Sequence, residues 1–283
     1  MRKTDAMTRL SMQSESGMAE VNGARIAYDV TGSGPPLLLL HAGIGDRRMW
    51  DAQIPAFAAH FTVIRFDARG FGETRKPDMP FTPYADAIAL LDHLGIARAH
   101  IIGVSMGSQT AIEAAVAAPE RVSALVAVAA RTGVPVSPAL RAGWERVDEL
   151  YEAGDIAGAV EYELTMWVDG PDRGADAVDP RVRERVREMN AALFARDDEA
   201  GEEIPLDPPA ADRLAEISAP TLILYGDQDV MDVRQAAAPL AAAIPGAQLA
   251  VVPDAAHLPQ MERPEVFNEI VLGFLLGLPA TRG

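Results

Sequence analysis

Apolar runs and stretches of helical spacing alternate along most of this chain. Residues 37–40 are continuously apolar, the mark of a strand covered on both faces. Residues 61–66, 100–104, 122–130, 221–225 and 248–252 read as further strands. Between them, residues 50–60, 83–94, 109–118, 233–243 and 264–275 carry helical spacing. Strands and helices in this rhythm predict βαβ units, and so a mostly parallel central sheet flanked by helices. Ahead of them, residues 20–30 alternate loosely around Asn22-Gly23, which predicts a hairpin of two early strands.

The rhythm stops near Arg131 and resumes at Thr221. Residues 132–216 are helical in period, broken at Gly170-Pro171, Pro180 and Pro205 to Pro209, and predict a helical subdomain inserted between two core portions, 19–131 and 217–283. Residues 1–18 are polar and aperiodic and are expected to be a disordered extension.

Charge sharpens this division. The chain of 283 residues carries a net −16, and residues 133–216 alone hold 21 Asp and Glu against 9 Arg. Such a balance argues against nucleic acid and anionic membrane surfaces as partners. It also disfavours polyanionic substrates such as coenzyme A thioesters, pointing to an uncharged or weakly polar small molecule. No apolar run reaches membrane-spanning length and the first residues lack the apolar core of a secretory signal, so a cytoplasmic protein is expected, as monomer or homodimer. The absence of cysteine excludes thiol catalysis and cysteine-ligated metal, and no other metal-ligand cluster stands out. Neither metal nor cofactor is expected.

The candidate chemistry begins at Gly103-Val104-Ser105-Met106-Gly107, between a predicted strand and a predicted helix. A serine at such a sharp turn has its hydroxyl lifted clear of the sheet, with the first helical N–H groups close by. Glycines two before and two after let helix and strand pass closely. Serine needs a base in reach and a third group to hold that base's tautomer. Of five histidines, His60, His93 and His100 lie at or within elements and read as structural. His41 ends a strand, where it can hold the following loop. His257 lies in the loop after the last strand, at the carboxyl side of the sheet where such folds build their sites, and is the candidate base. The loop Gly226-Asp227-Gln228-Asp229 offers two carboxylates. Asp227 reads as a turn residue, whereas Asp229, further along, is the favoured partner of His257. Asp254 reads as loop-fixing.

These residues, in the order Ser105, Asp229, His257, resemble the α/β-hydrolase superfamily in motif and spacing. Asp67-Ala68-Arg69-Gly70-Phe71-Gly72 is also similar to that family's loop after the fourth strand, where the arginine is structural. The resemblance spans roughly residues 20–278 and implies an α/β-hydrolase fold in which residues 132–216 form a cap (lid). It further implies an acyl-enzyme mechanism and an oxyanion hole from the backbone N–H groups of Gly43 and Met106, with Ile44 as the runner-up to Gly43. One departure is His41-Ala42, where the family shows His-Gly. Serine at the elbow points to cleavage of a small ester or lactone. The alternatives are a C–C bond hydrolase, a cofactor-free perhydrolase or lyase with the same triad, or a low-turnover ligand-binding protein.

His41, Ile44, Arg131, Met166, Trp167 and Leu258 are the candidate substrate contacts. Helix packing is the plainer account of Trp144, Tyr151, Met166, Trp167, Met189 and Phe194, with Met166 and Trp167 beside Gly170-Pro171 as the best roof residues. Arg181, Arg183, Arg185 and Arg187 read as a solvated, salt-bridged face with Glu184 and Glu188. Arg131, just past a strand end, could meet a substrate carboxylate.

Overall fold

The computed structural model describes residues 14–196 and 201–279. Its strands are β1 (Ser14–Val21), β2 (Ala24–Thr31), β3 (Pro36–Leu40), β4 (Thr62–Phe66), β5 (Ala99–Val104), β6 (Val122–Val128), β7 (Thr221–Gly226) and β8 (Gln248–Val252). Among the described residues they form one sheet in the order β1-β2-β4-β3-β5-β6-β7-β8. The β1–β2 and β2–β4 pairs are antiparallel, and every pairing from β4 to β8 is parallel. The early hairpin turns at Asn22 and Gly23, both at positive φ (47° and 76°), as a two-residue primed turn requires.

Because both faces of the parallel strands are covered, alternate residues feed two separate cores. Leu37, Leu39, Ile102, Val104, Val126, Val128, Leu222 and Leu224 belong to one. Leu38, Leu40, Ile101, Leu125, Ala127 and Ile223 belong to the other. The helices are α1 (Ile54–Phe57), α2 (Pro83–His93), α3 (Met106–Ala117), α4 (Pro138–Glu152), α5 (Ile156–Leu164), α6 (Pro180–Phe194), α7 (Met231–Ala243), α8 (Pro259–Glu262) and α9 (Pro264–Leu276). The first core takes Phe57 of α1, Phe267, Val271 and Phe274 of α9, and Leu140, Val160 and Leu164 of the helices between β6 and β7. The second takes Leu90 and Leu91 of α2, Ile112 and Val116 of α3 and Leu240 of α7.

Two expectations need correction. Residues 14–18, assigned to a disordered extension, pair with β2 as the start of β1; residues 1–13 lie outside the described residues. Polar outward positions on an edge strand hid this element, since Ser14, Glu15 and Ser16 are exposed. The single helix expected over 50–60 is a 3₁₀ turn (Arg47–Trp50) followed by the short α1. Pro55, in the first turn of α1, has no N–H with which to continue a preceding helix.

Between β6 and β7 the described residues form helices joined by loops, with no strand beyond one isolated bridge from Glu203 to Phe81. Arg183 of α6 reaches Asp169 through two bonds of 2.7 and 2.9 Å. Arg183 therefore belongs to a largely buried pair, unlike the solvated face expected of that arginine series. The other three do form exposed pairs, Arg181 with Asp179, Arg185 with Asp51 and Arg187 with Glu161. Among the described residues no helix is long and apolar enough to cross a membrane.

Candidate active site

At the end of β5 the chain turns into α3 through Ser105, whose backbone stands at φ 54°, ψ −113°. A β-carbon is disfavoured in this region of positive φ, so the turn is strained and must be held by its surroundings. Ser105 N donates to Val128 O of β6 at 2.9 Å, and Ser105 O accepts from the Ser108 and Gln109 N–H groups. The glycines explain the closeness of the layers. A Cβ on Gly103 would strike the Gly107 carbonyl, and one on Gly107 would stand 2.5 Å from Leu40 O.

His257 follows β8 and is 4% exposed. Its Nδ1 lies 2.9 Å from both carboxylate oxygens of Asp229, which is fully buried. An ionised carboxylate can only accept, so Nδ1 carries the proton and the Nε2 lone pair is left free. Val230 N donates to Asp229 Oδ1 at 2.7 Å and fixes the acid in turn. Among the described residues the Asp227 carboxylate instead accepts only from the adjacent Gln228 amide, at 3.1 Å. His257 N donates to Trp167 O at 3.2 Å, and the Trp167 ring lies 4.4 Å from the imidazole. Trp167 sits in a π-helical turn, Thr165–Asp169, that extends α5. Ser105 and His257 make no hydrogen bond with each other, but both line one cavity of about 590 Å³.

Gly43, Ile44 and Met106 line the same cavity. The N–H groups of Gly43 and Met106 have no protein acceptor among the described residues, so both remain available to a ligand oxygen. His41 also lines the cavity. Its Nδ1 donates to Ala42 O at 2.9 Å and its Nε2 accepts from Ala68 N at 3.0 Å. Burial pushes its pKa down, which keeps it a neutral brace between the two loops. Arg69 is buried, bonded twice to Asp86 (2.6 and 2.9 Å) and to Asn22 O (2.7 Å). It ties the loop after β4 to α2 and to the β1–β2 turn.

Of the expected substrate contacts, Arg131 and Trp167 join His41 and Ile44 on the cavity wall, whereas Met166 and Leu258 do not. Met166 packs on Gly143 of α4. Leu258 is fully buried in the first core, because the turn that presents His257 sends the next side chain inward. Trp144, read as packing, does line the cavity.

Several polar wall residues were missed. Glu113 of α3 accepts from Gln109 at 2.7 Å, and Gln109 accepts from Thr132 at 2.8 Å. Glu163 of α5 accepts from buried Asn190 of α6. Burial pushes the pKa of both carboxyls up. Each had a signal. Glu113 is the single charge within α3, and Glu163 shares a helical face with Val160, Leu164 and Trp167. Among the described residues, no group of three or more His, Asp and Glu side chains is placed to hold a metal ion.

Comparison with known proteins agrees with the topology. The chain is 32% identical over 234 residues to 2-hydroxy-6-oxononadienedioate/2-hydroxy-6-oxononatrienedioate hydrolase 2 of Pseudomonas putida, covering 78% of this chain and 79% of that protein. It is similar to the solved structure of a hydrolase from Pseudomonas aeruginosa PA01, with TM-score 0.75 and 32% identity over 93% of this chain and 99% of the other. The enol-lactonase from Burkholderia xenovorans LB400 superposes with TM-score 0.75 at 26% identity, covering 92% and 99% of the two chains. The sequence model of the alpha/beta hydrolase fold matches residues 35–264, and with an eight-stranded, mostly parallel sheet flanked by helices the chain belongs to the α/β-hydrolase family.

Proposed function

We propose that this α/β hydrolase cleaves a small carboxylic ester or lactone through an acyl-enzyme on Ser105. One observation carries the reading: a strained elbow serine shares a cavity with a histidine whose Nδ1 is held by a fully buried aspartate. In the first step Ser105 Oγ attacks the acyl carbon while His257 Nε2 takes its proton. Asp229 keeps the proton on Nδ1 and stabilises the imidazolium that forms. The Gly43 and Met106 N–H groups meet the developing oxyanion, where each donor is worth about 2.7–4 kcal/mol. His257 then gives its proton to the leaving alcohol, and water, deprotonated by the same imidazole, releases the acid. Residues 132–216 act as a cap, with Trp144 and Trp167 excluding water above the serine.

The enol-lactonase similarity supports a lactone or ester carbonyl as the target. The dienedioate hydrolase similarity favours a second reading, cleavage of a C–C bond next to a ketone by the same three residues. Short p-nitrophenyl esters and a fluorophosphonate probe test the first reading, with Ser105→Ala alongside. Labelling of wild type and loss of turnover in the variant are expected. An unlabelled wild type, or equal turnover by both proteins, overturns it. Turnover of vinylogous 1,5-diketones with esters untouched selects the second.

A further inference from the structure

Two arginines line the cavity, Arg69 and Arg131, and their situations differ. Arg69 is committed to Asp86 and to the Asn22 carbonyl. Arg131 has no hydrogen-bond or ion-pair acceptor among the described residues. Its guanidinium carbon lies 5.0 Å over the Trp144 ring, and burial pushes its pKa down. A guanidinium remains charged even so. Asp232 is the acid whose field favours that charge, but both its oxygens are taken, by Ser137 N at 2.8 Å and Ser137 Oγ at 2.7 Å. Half-buried Arg131 therefore gives up part of its water on folding, and the direct contact it gains is an aromatic face. That leaves its planar fork of donors free on the cavity wall, a geometry that matches a carboxylate.

Apart from Arg69 and Asp86, which pair with each other, the other charged side chains on the cavity wall are acids that do not pair with Arg131. Glu113 and Glu163 bond to Gln109 and Asn190, and the charged neighbours that act on them are Glu203 and Asp148. These carboxylates disfavour an anion on their side of the cavity, and of the two arginines on its wall Arg131 is the one that no carboxylate already holds. Of the acids among the described residues of 133–216, only Glu163 and Glu203 line the cavity. The negative charge of that segment thus does not oppose a single carboxylate at Arg131, contrary to the expectation of an uncharged substrate. Ser105 and Arg131 share one cavity wall: Ser105 N is bonded to Val128 O, and three further residues, at most about 10 Å of backbone, lead to Arg131, so both side chains rise from the same end of the sheet.

Resting on the ester or lactone reading, we infer that the substrate carries a free carboxylate a short carbon chain away from the reacting carbonyl, and that Arg131 binds it. Neutral esters of the same size lack that anchor.

The test separates this from hydrolysis itself. Binding of monomethyl glutarate and of its neutral counterpart dimethyl glutarate is measured by calorimetry on Ser105→Ala, which cannot turn them over. The monoanion should bind at least tenfold tighter. Adding Arg131→Gln should erase that preference and Arg131→Lys should restore part of it. Equal affinities for the two esters, no measurable binding of either at millimolar concentration, or a preference that survives Arg131→Gln overturns the inference. The ligand pair decides the matter on intact Arg131 even where a variant fails to fold. Fluorophosphonate labelling of wild-type Ser105 reports the hydrolase reading independently, so the two failures are distinguishable.

Discussion

Arg173 and Glu262 form a 2.7 Å ion pair between the helical segment and the element that follows His257. Glu262 also accepts the Ala256 N–H at 2.8 Å, one residue before the histidine. Arg173 donates to Asp254 O on the other side of the same loop, and to Val168 O and Asp169 O behind Trp167. The pair thus fastens the His257 loop to the turn that carries Trp167, so the stability of the pair and the placement of the imidazole are coupled.

This pair gives the first prediction. Burial raises the Glu262 pKa from 4.5 to about 7, Arg173 opposing only in part. A raised carboxyl pKa means that the folded chain holds a proton the unfolded chain has lost between pH 4.5 and 7. Stability therefore falls as pH rises through that window, by roughly 3 kcal/mol from this group alone. Glu262→Gln does not titrate. Urea unfolding at pH 5 and pH 8 should show the variant gaining on wild type by about 1–3 kcal/mol at the higher pH. A difference that stays flat between the two pH values would count against a raised pKa.

Glycine positions around the elbow separate packing from chemistry. A Cβ at Gly107 meets Leu40 O at 2.5 Å and His41 O at 2.7 Å, both backbone atoms that cannot swing away. Gly107→Ala should cost about 3 kcal/mol or more. A Cβ at Gly43 meets only Met106, at an ordinary 3.8 Å. Gly43→Ala keeps its N–H and should stay within about 1 kcal/mol of wild type. Denaturant titrations of the two variants check both values, and a comparable loss in each would refute the contrast.

Much of this architecture was legible because the parallel strands are buried on both faces. Continuous apolar runs such as 37–40 have no other ready use in a short segment. The Asp229–His257 pair was legible for a related reason: the ends of parallel strands converge on one edge, so loop position alone sorted the five histidines. The roof was not legible in the same way. Met166 and Trp167 are neighbours in the π-helical turn, yet successive side chains there leave in different directions, one against Gly143 and the other over His257. Which faces the cavity depends on how α5 is rotated on the core, and that is set by contacts from α4 and α6 far along the chain. Glu163 shows the same limit, since its partner Asn190 lies 27 residues away. At β1 the obstacle was different: an edge strand needs no apolar outer face.

Backbone strain at Ser105 makes its own prediction. At φ 54° a β-carbon is disfavoured, so Ser105→Gly should be more stable than Ser105→Ala by about 1 kcal/mol, although both lack the hydroxyl. Thermal unfolding of the pair is the measurement. An alanine variant as stable as the glycine one would mean that the elbow stores no strain.

Asp229 is the sharpest place to test the proposed division of roles. Asp229 and Asp227 are two residues apart in one loop, but Asp229 alone reaches His257. Asp229→Asn keeps shape and volume while offering Nδ1 an amide that can turn either its oxygen or its donor toward the ring. With the donor side presented, the proton moves to Nε2 and the base can no longer accept from serine. The expected result is a fall in kcat of about 10³- to 10⁴-fold, with KM changed far less because the cavity wall is untouched. Asp227→Asn, losing only a bond to its neighbour's amide, should leave kcat within about twofold, since a part-exposed turn contact of this kind has little energy to lose. Steady-state kinetics on a p-nitrophenyl ester distinguish the two variants. Equal losses in both, or a larger loss in Asp227→Asn, would remove Asp229 from the role of orienting His257.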